Sequence, residues 1–137
     1  MSDMEDFNKQ VIDEFRANSG NVGGMFEGAN MVLVHHKGAK TGTERVTPLM
    51  YRPLGDDIAI FASKGGAPEH PAWFHNLVAN PDTTIEIGDE TRHVRARVAT
   101  GDERSRIWEA QKSDVPQFAE YEASTAREIP VVVLQTA

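Results

Sequence analysis

The chain has 137 residues, of which 39% are hydrophobic and 26% charged, values that suit one globular domain with a single core. It holds no cysteine, which excludes disulfides and thiolate metal sites, and no run of about 18 apolar residues, which excludes a membrane-spanning helix. The net charge of −7 argues against non-specific nucleic-acid binding, which needs a basic stripe to release counterions. The opening Met-Ser-Asp-Met-Glu-Asp is acidic where a secretory leader is basic, so the cytoplasm is the expected compartment.

Ser2 or Asp3 is a candidate cap for a first helix whose apolar residues Met4, Phe7, Val11, Ile12 and Phe15 recur at helical spacing. Asn18-Ser19-Gly20 is its stop signal. This amphipathic helix packs on the core, covers a binding site, or makes weak membrane contact; only Lys9 and Arg16 favour anionic lipid. Residues Asn21 to Gly28 are glycine-rich and read as a mobile entry loop. From Asn30 the pattern turns to β. Met31 to His35 and Arg45 to Arg52 flank a turn at Gly38 to Gly42, and Leu54-Gly55-Asp56-Asp57 leads into Ile58 to Ala62. Pro71 opens a short helix to Ala79. Thr83 to Ile87 and Thr91 to Ala99 form a hairpin about Gly88-Asp89-Glu90. Asp102 to Ser113 is helical and continues irregularly to Tyr121, and Pro130 to Leu134 is the last strand. Six short strands with tight turns and interspersed helices predict an α+β protein, mainly β, built on an antiparallel sheet or barrel.

Charge is unevenly spread. Between His35 and Lys64 the basic Lys37, Lys40, Arg45, Arg52 and Lys64 face only Glu44, Asp56 and Asp57, so a locally basic segment sits in an acidic chain. Two short loops there, G-A-K-T-G-x-x-R from Gly38 and A-S-K-G-G from Ala62, pair glycines with a cation, a combination that suits a small anionic ligand. Surface lysines on ordinary turns are the plain alternative. The first loop is not a Walker A loop, because Lys40-Thr41 precedes Gly42 and a strand follows. No G-x-G-x-x-G follows a strand, so a doubly wound dinucleotide fold has no support. His35 and His36 are adjacent and point to opposite faces of a strand, and His70 and His75 diverge around a helix, so neither pair suits one metal. Ser63 has no base at motif spacing for a hydrolase triad.

The order of G-x-K-T-G-x-x-R, A-S-K-G-G, P-x-W-x-x-N-L-x-A-N-P, a late Tyr and the terminal I-P-V-V-V resembles the deazaflavin-dependent nitroreductase family, actinobacterial proteins with a split β-barrel, flavin-reductase-like fold that use coenzyme F-420. The resemblance spans nearly the whole chain. It implies a six-stranded split barrel and places Lys40, Thr41, Gly42, Arg45 and Pro48 at the cofactor's phosphate, with Lys37 near its oligoglutamate tail. Ser63, Lys64, Gly65 and Gly66 would approach the deazaflavin ring, and Pro71, Trp73, Asn76 and Leu77 would form the flanking helix, although Trp73 also reads as a core aromatic. Phe118 and Tyr121 would face the acceptor, and Ser63 or Tyr121 would stabilise charge or supply a proton. Ala39 departs from the Arg found in many relatives, and relatives with several tyrosines in the acceptor region contrast with the single Tyr121 here. The implied activity is hydride transfer from reduced coenzyme F-420 to a quinone, an activated enone or a nitroaromatic compound. The competing readings are an FMN-binding reductase on the same barrel, a non-catalytic deazaflavin carrier, and an interaction domain whose glycines only make turns.

Overall fold

A computed structural model describes residues 3–23, 30–66 and 68–136. Its elements are α1 (Asp3–Ala17), β1 (Met31–Lys37), β2 (Glu44–Met50), β3 (Arg52–Leu54), β4 (Asp57–Phe61), α2 (Ala72–Ala79), β5 (Asp82–Ile87), β6 (Glu90–Val98), α3 (Gly101–Asp114), α4 (Gln117–Ala123) and β7 (Val131–Thr136). The expected cap at Ser2 and the 24–28 part of the expected entry loop lie outside the described residues, as does the side chain of Met4. Among the described residues no helix is long and apolar enough to cross a membrane.

The strands form one antiparallel sheet in the order β2-β1-β5-β6-β7-β4-β3. Its two edge strands, β2 and β3, are separated in sequence by Tyr51 alone. A sheet whose outermost strands are joined by one residue has to curl until its edges meet, and the result is a half-barrel. This corrects the expected strand count from six to seven. The run from Arg45 to Arg52 looks like one strand because its residues are extended throughout. At Tyr51, however, the chain leaves β1, donating its N–H to the Asn30 carbonyl at 2.9 Å, and Arg52 begins a ladder with Ala59 of β4.

Strand alternation divides the core. Val32, Val34, Ile58, Ile60, Ile85, Val94, Val132 and Leu134 point into the curl, where Trp73 and Leu77 of α2 plug it. Met31 and Leu33, one residue out of phase on β1, face Val11 and Phe15 of α1. Ala59, Phe61, Val131 and Val133 face Ile107, Trp108 and Phe118 of α3 and α4. Strands β1, β4 and β7 are buried on both faces, which is why they read as continuous apolar runs, while β5 and β6 keep one polar face.

The first helix therefore packs on the sheet. A bidentate ion pair holds it there: Arg16 donates from Nε and Nη2 to Glu86 at 3.0 and 2.7 Å, and His35 Nε2 lies 2.7 Å from the same carboxylate. Phe7, at the far end of the apolar stripe, is 40% exposed. The late helical segment is two helices rather than one irregular helix. Val115 N–H closes α3 on the Gln111 carbonyl, and Pro116, which has no N–H to continue a helix, starts α4.

Candidate cofactor and acceptor site

The β1–β2 turn is built around two glycines. Gly38 N–H donates to the Thr43 carbonyl at 2.9 Å and Gly42 N–H to the Gly38 carbonyl at 2.8 Å. A β-carbon on Gly38 would stand 2.6 Å from Thr41 Oγ1, and Gly42 has φ +72°, so both positions favour glycine. Thr41 Oγ1 accepts from Thr43 N–H at 3.2 Å, which turns this hydroxyl into the loop. Lys40, Thr41, Gly42 and Arg45 are exposed. Among the described residues no carboxylate pairs with Lys37, Lys40 or Arg45. The turn is thus a basic projection of Lys37, Lys40 and Arg45 whose single acid is Glu44, opposite Lys37 in the ladder, while Arg52 lies elsewhere, bonded to Asp114 at 2.6 Å. Pro48 sits opposite Leu33 on the edge strand β2, where the missing N–H is tolerated. A groove of about 460 Å³ opens beside Arg45, between α1 and β2, with Lys9 and Arg16 on its walls.

Behind the turn is a buried polar chain. Ala39 N–H donates to Asn76 Oδ1 at 2.9 Å, Asn76 Nδ2 lies 2.9 Å from His36 Nδ1, and His36 Nε2 lies 2.8 Å from Thr47 Oγ1. His36 and Asn76 are buried. Burial, reinforced by Arg45 and then His35, lowers the His36 pKa to about 4. As expected of adjacent strand residues, His35 and His36 part to opposite faces, one to Glu86 and one to Asn76.

The second loop follows β4. The Ser63 carbonyl accepts from Gly66 N–H at 2.9 Å and from Arg127 Nη2 at 2.9 Å, and Arg127 Nη1 reaches His70 Nδ1 at 2.8 Å, closing the loop at both ends. Among the described residues no hydrogen bond engages the Ser63 hydroxyl. Gly66, at φ +84°, lies against Tyr121 of α4 and Ser124, the residue that caps it. Lys64, expected to be open to an anion, instead bonds Glu69 at 2.8 Å, and that bond holds the Glu69 carboxyl below its usual range. The pair is exposed, so it contributes little and yields readily to a more highly charged anion.

The remaining expected residues are less accessible. Pro71 begins α2, while Trp73 and Leu77, 6% and 2% exposed, plug the half-barrel. Truncating Trp73 would cost about 3–5 kcal/mol of packing, so loss of binding in such a variant would report on the helix and not on a contact. Asn76, whose poor helix propensity marked it for a special role, spends its amide on His36 and Ala39. Phe118 is also buried, its ring centroid 5.4 Å from those of Phe61 and Tyr121, because the α4 face it occupies is the one packed on the sheet. It supports Tyr121 from beneath and presents no open face. Tyr121 is half-buried, and burial, then Glu120, raises its phenol pKa.

The two loops thus share α2 as a support: the second leads toward its first turn and the first is bonded to its fifth residue, Asn76. His36, Thr47, Glu69 and Arg127 were missed by sequence reasoning. Nothing local marks Thr47, Glu69 or Arg127, and only the inward phase of β1 points to His36.

The family model described as F420H(2)-dependent quinone reductase matches residues 7–136. An F420H(2)-dependent quinone reductase of Mycobacterium tuberculosis, Rv1261c, is 40% identical over 124 residues, covering 88% of this chain and 83% of the relative. Among solved structures, an F420-H2 dependent reductase, FDR-A, superposes with a TM-score of 0.71 at 38% identity, covering 77% of this chain and 94% of its own. The heme storage protein HutZ of Vibrio cholerae, with a TM-score of 0.61 at 14% identity over 95% of this chain and 90% of its own, shares the fold alone. The chain belongs to the F420H(2)-dependent quinone reductase family.

Proposed function

We propose that this protein is a coenzyme F-420-dependent reductase that passes a hydride from the reduced cofactor to a quinone, with enones and nitroaromatics as related acceptors. The observation that carries the reading is the net basic turn of Lys37, Lys40 and Arg45, tied through Asn76 to the helix that follows a second glycine loop, in a chain of this family. The residues suit the group: Lys40, Arg45 and the Thr41 amide would hold its phosphodiester, with Lys37 and the groove beside Arg45 for the acidic tail. Ser63 to Gly66 would border the flat ring, with Gly66 giving room to Tyr121 and Ser124 at the loop's back. FMN is not needed to account for any of these features.

When bound, the reduced deazaflavin supplies a hydride and disfavours one-electron chemistry. A quinone that accepts a hydride needs one further proton at oxygen to become a hydroquinone. Tyr121 suits a hydrogen bond to that oxygen, because its phenol is protonated at neutral pH and can donate from Oη as negative charge develops. Ser63 Oγ, with no protein partner among the described residues, is the second candidate donor. Phe118 and Phe61 hold the Tyr121 ring in place, and α2 plugs the half-barrel behind the loops against water.

Fluorescence titration with F-420 and with FMN, followed by oxidation of reduced F-420 by menadione, tests the reading. Tight, selective F-420 binding with menadione turnover is expected. Binding without oxidation of the cofactor by a quinone, enone or nitroaromatic would make the protein a carrier.

A further inference from the structure

We propose that His36 is a positioning residue for the cofactor-binding turn: as a neutral imidazole it fixes the Asn76 amide in the one orientation that receives the Ala39 N–H. The proposal rests on the cofactor-site reading above for its functional consequence, but its structural half stands on donor and acceptor chemistry alone.

Ala39 N–H can only donate, so the Asn76 atom that faces it has to be the carbonyl oxygen. That leaves the NH2 group pointing at His36 Nδ1. An NH2 group can only donate, so Nδ1 carries no proton and Nε2 carries it, donating to Thr47 Oγ1. Each bond dictates the next, from the edge strand β2 through β1 and α2 to the tip of the β1–β2 turn. A protonated His36 would set a ring N–H against the Asn76 NH2, and a flipped Asn76 would set its NH2 against Ala39 N–H. The first arrangement buries two facing donors and the second sets two together at a part-buried contact, and both are disfavoured.

The strut therefore has one satisfied state, in which α2 and the turn are tied together one residue before Lys40. Lys40 and Arg45 are long, exposed and otherwise untethered, so their reach toward a phosphate depends on where the turn places their backbone. The same strut also ties the turn to the helix that follows the second loop.

The test begins with the cofactor-free protein. Nitrogen-15 NMR of the histidine side chains should show His36 as the Nε2–H tautomer across neutral pH, and the Ala39 amide should exchange slowly with solvent. The Nδ1–H tautomer or a rapidly exchanging Ala39 amide would overturn the proposal whatever the protein binds. His36→Leu, which fills the space without the bonds, should weaken F-420 binding by about tenfold and raise the KM for reduced F-420 rather than lower kcat. His36→Gln, which can both donate and accept, should recover much of the affinity. A folded His36→Leu variant that binds F-420 like the parent and keeps Ala39 protected would also overturn it. If the parent bound no F-420 while the tautomer and amide protection were as described, the strut would stand and the cofactor assignment would fall.

Discussion

Gly66 stands so close to Tyr121 that a β-carbon at position 66 would lie 3.1 Å from the Tyr121 carbonyl oxygen and 2.9 Å from Ser124 Cβ. The loop expected at the deazaflavin ring and the helix that carries Tyr121 are therefore one packed unit. Gly66→Ala is opposed twice, by the φ of +84° and by overlap with α4 atoms that cannot rotate away. The expected cost is about 2–3 kcal/mol, lowering Tm by roughly 5 °C or more. Acceptor turnover should fall by more than cofactor affinity does, because the strain is relieved by moving Tyr121. Thermal unfolding within a degree of the parent would mean that α4 is not held against the loop.

Lys40 and Arg45 make no ion pair among the described residues, so removing them costs the fold little. Lys40→Ala with Arg45→Ala should leave stability within about 0.5 kcal/mol of the parent. Cofactor binding should weaken by roughly 30- to 1000-fold, since each charge-assisted contact contributes about 1.5–3 kcal/mol before solvent screening. Affinity of the parent should also fall with added salt, and that of the double variant much less. Isothermal titration at two salt concentrations measures both effects. Equal affinity in the two proteins would remove the turn from the cofactor site.

His36 makes stability depend on pH. In the folded protein its pKa lies at about 4, below the ordinary 6.5, so over the interval between them the unfolded chain takes up a proton that the folded chain does not. Stability is then unaffected above the higher value and declines as pH falls from there toward about 4. Relative to the plateau above 6.5, the loss should reach about 2 kcal/mol at about pH 5, the slope approaching 1.36 kcal/mol per pH unit between the two pKa values. Urea unfolding at a series of pH values should show a steeper slope in the parent than in His36→Leu, where His70, lowered by burial and then by Arg127, still titrates with the same sign. Working above pH 5 keeps the measurement clear of Glu86, whose carboxyl the Arg16 bond holds below its usual range and whose contribution is lost only at lower pH. A parent profile flat from neutrality to about pH 5 would mean that His36 is open to water.

Much of this molecule was legible because its signals are local. The helical spacing of Val11, Ile12 and Phe15, the turn glycines at 38, 42 and 88, and the two basic loops each declare themselves within about ten residues. What escaped depends on distant partners. The break at Tyr51 exists because Arg52 meets Ala59, and no residue near position 51 encodes that meeting. Lys64 reads as a free cation until Glu69 folds back on it. Phe118 and Tyr121 do share a helix face, as their spacing requires, but spacing cannot say whether that face meets a ligand or Phe61. Asn76 was singled out for being out of place in a helix, and the reason is an imidazole forty residues earlier in the chain.

Tyr121 is where the acceptor chemistry is most open to attack by mutation. Its ring rests edge-on against Phe118, 5.4 Å between centroids, and its backbone abuts Gly66, so Tyr121→Phe keeps every packing contact and removes only the hydroxyl. Its pKa is raised by burial first and by Glu120 second, so at neutral pH the hydroxyl is a donor and not an anion. If that donor meets the developing negative charge on a quinone oxygen, its loss should cost roughly 1–3 kcal/mol of transition-state stabilisation, or about five- to hundredfold in turnover. Affinity for F-420 should be unchanged, because the hydroxyl is assigned to the acceptor and not to the cofactor. Turnover of menadione by reduced F-420, measured in stopped flow at saturating acceptor, separates the chemical step from binding. A Tyr121→Phe variant as fast as the parent would pass the proton-donor role to Ser63, and Ser63→Ala in the same assay would then show the loss instead.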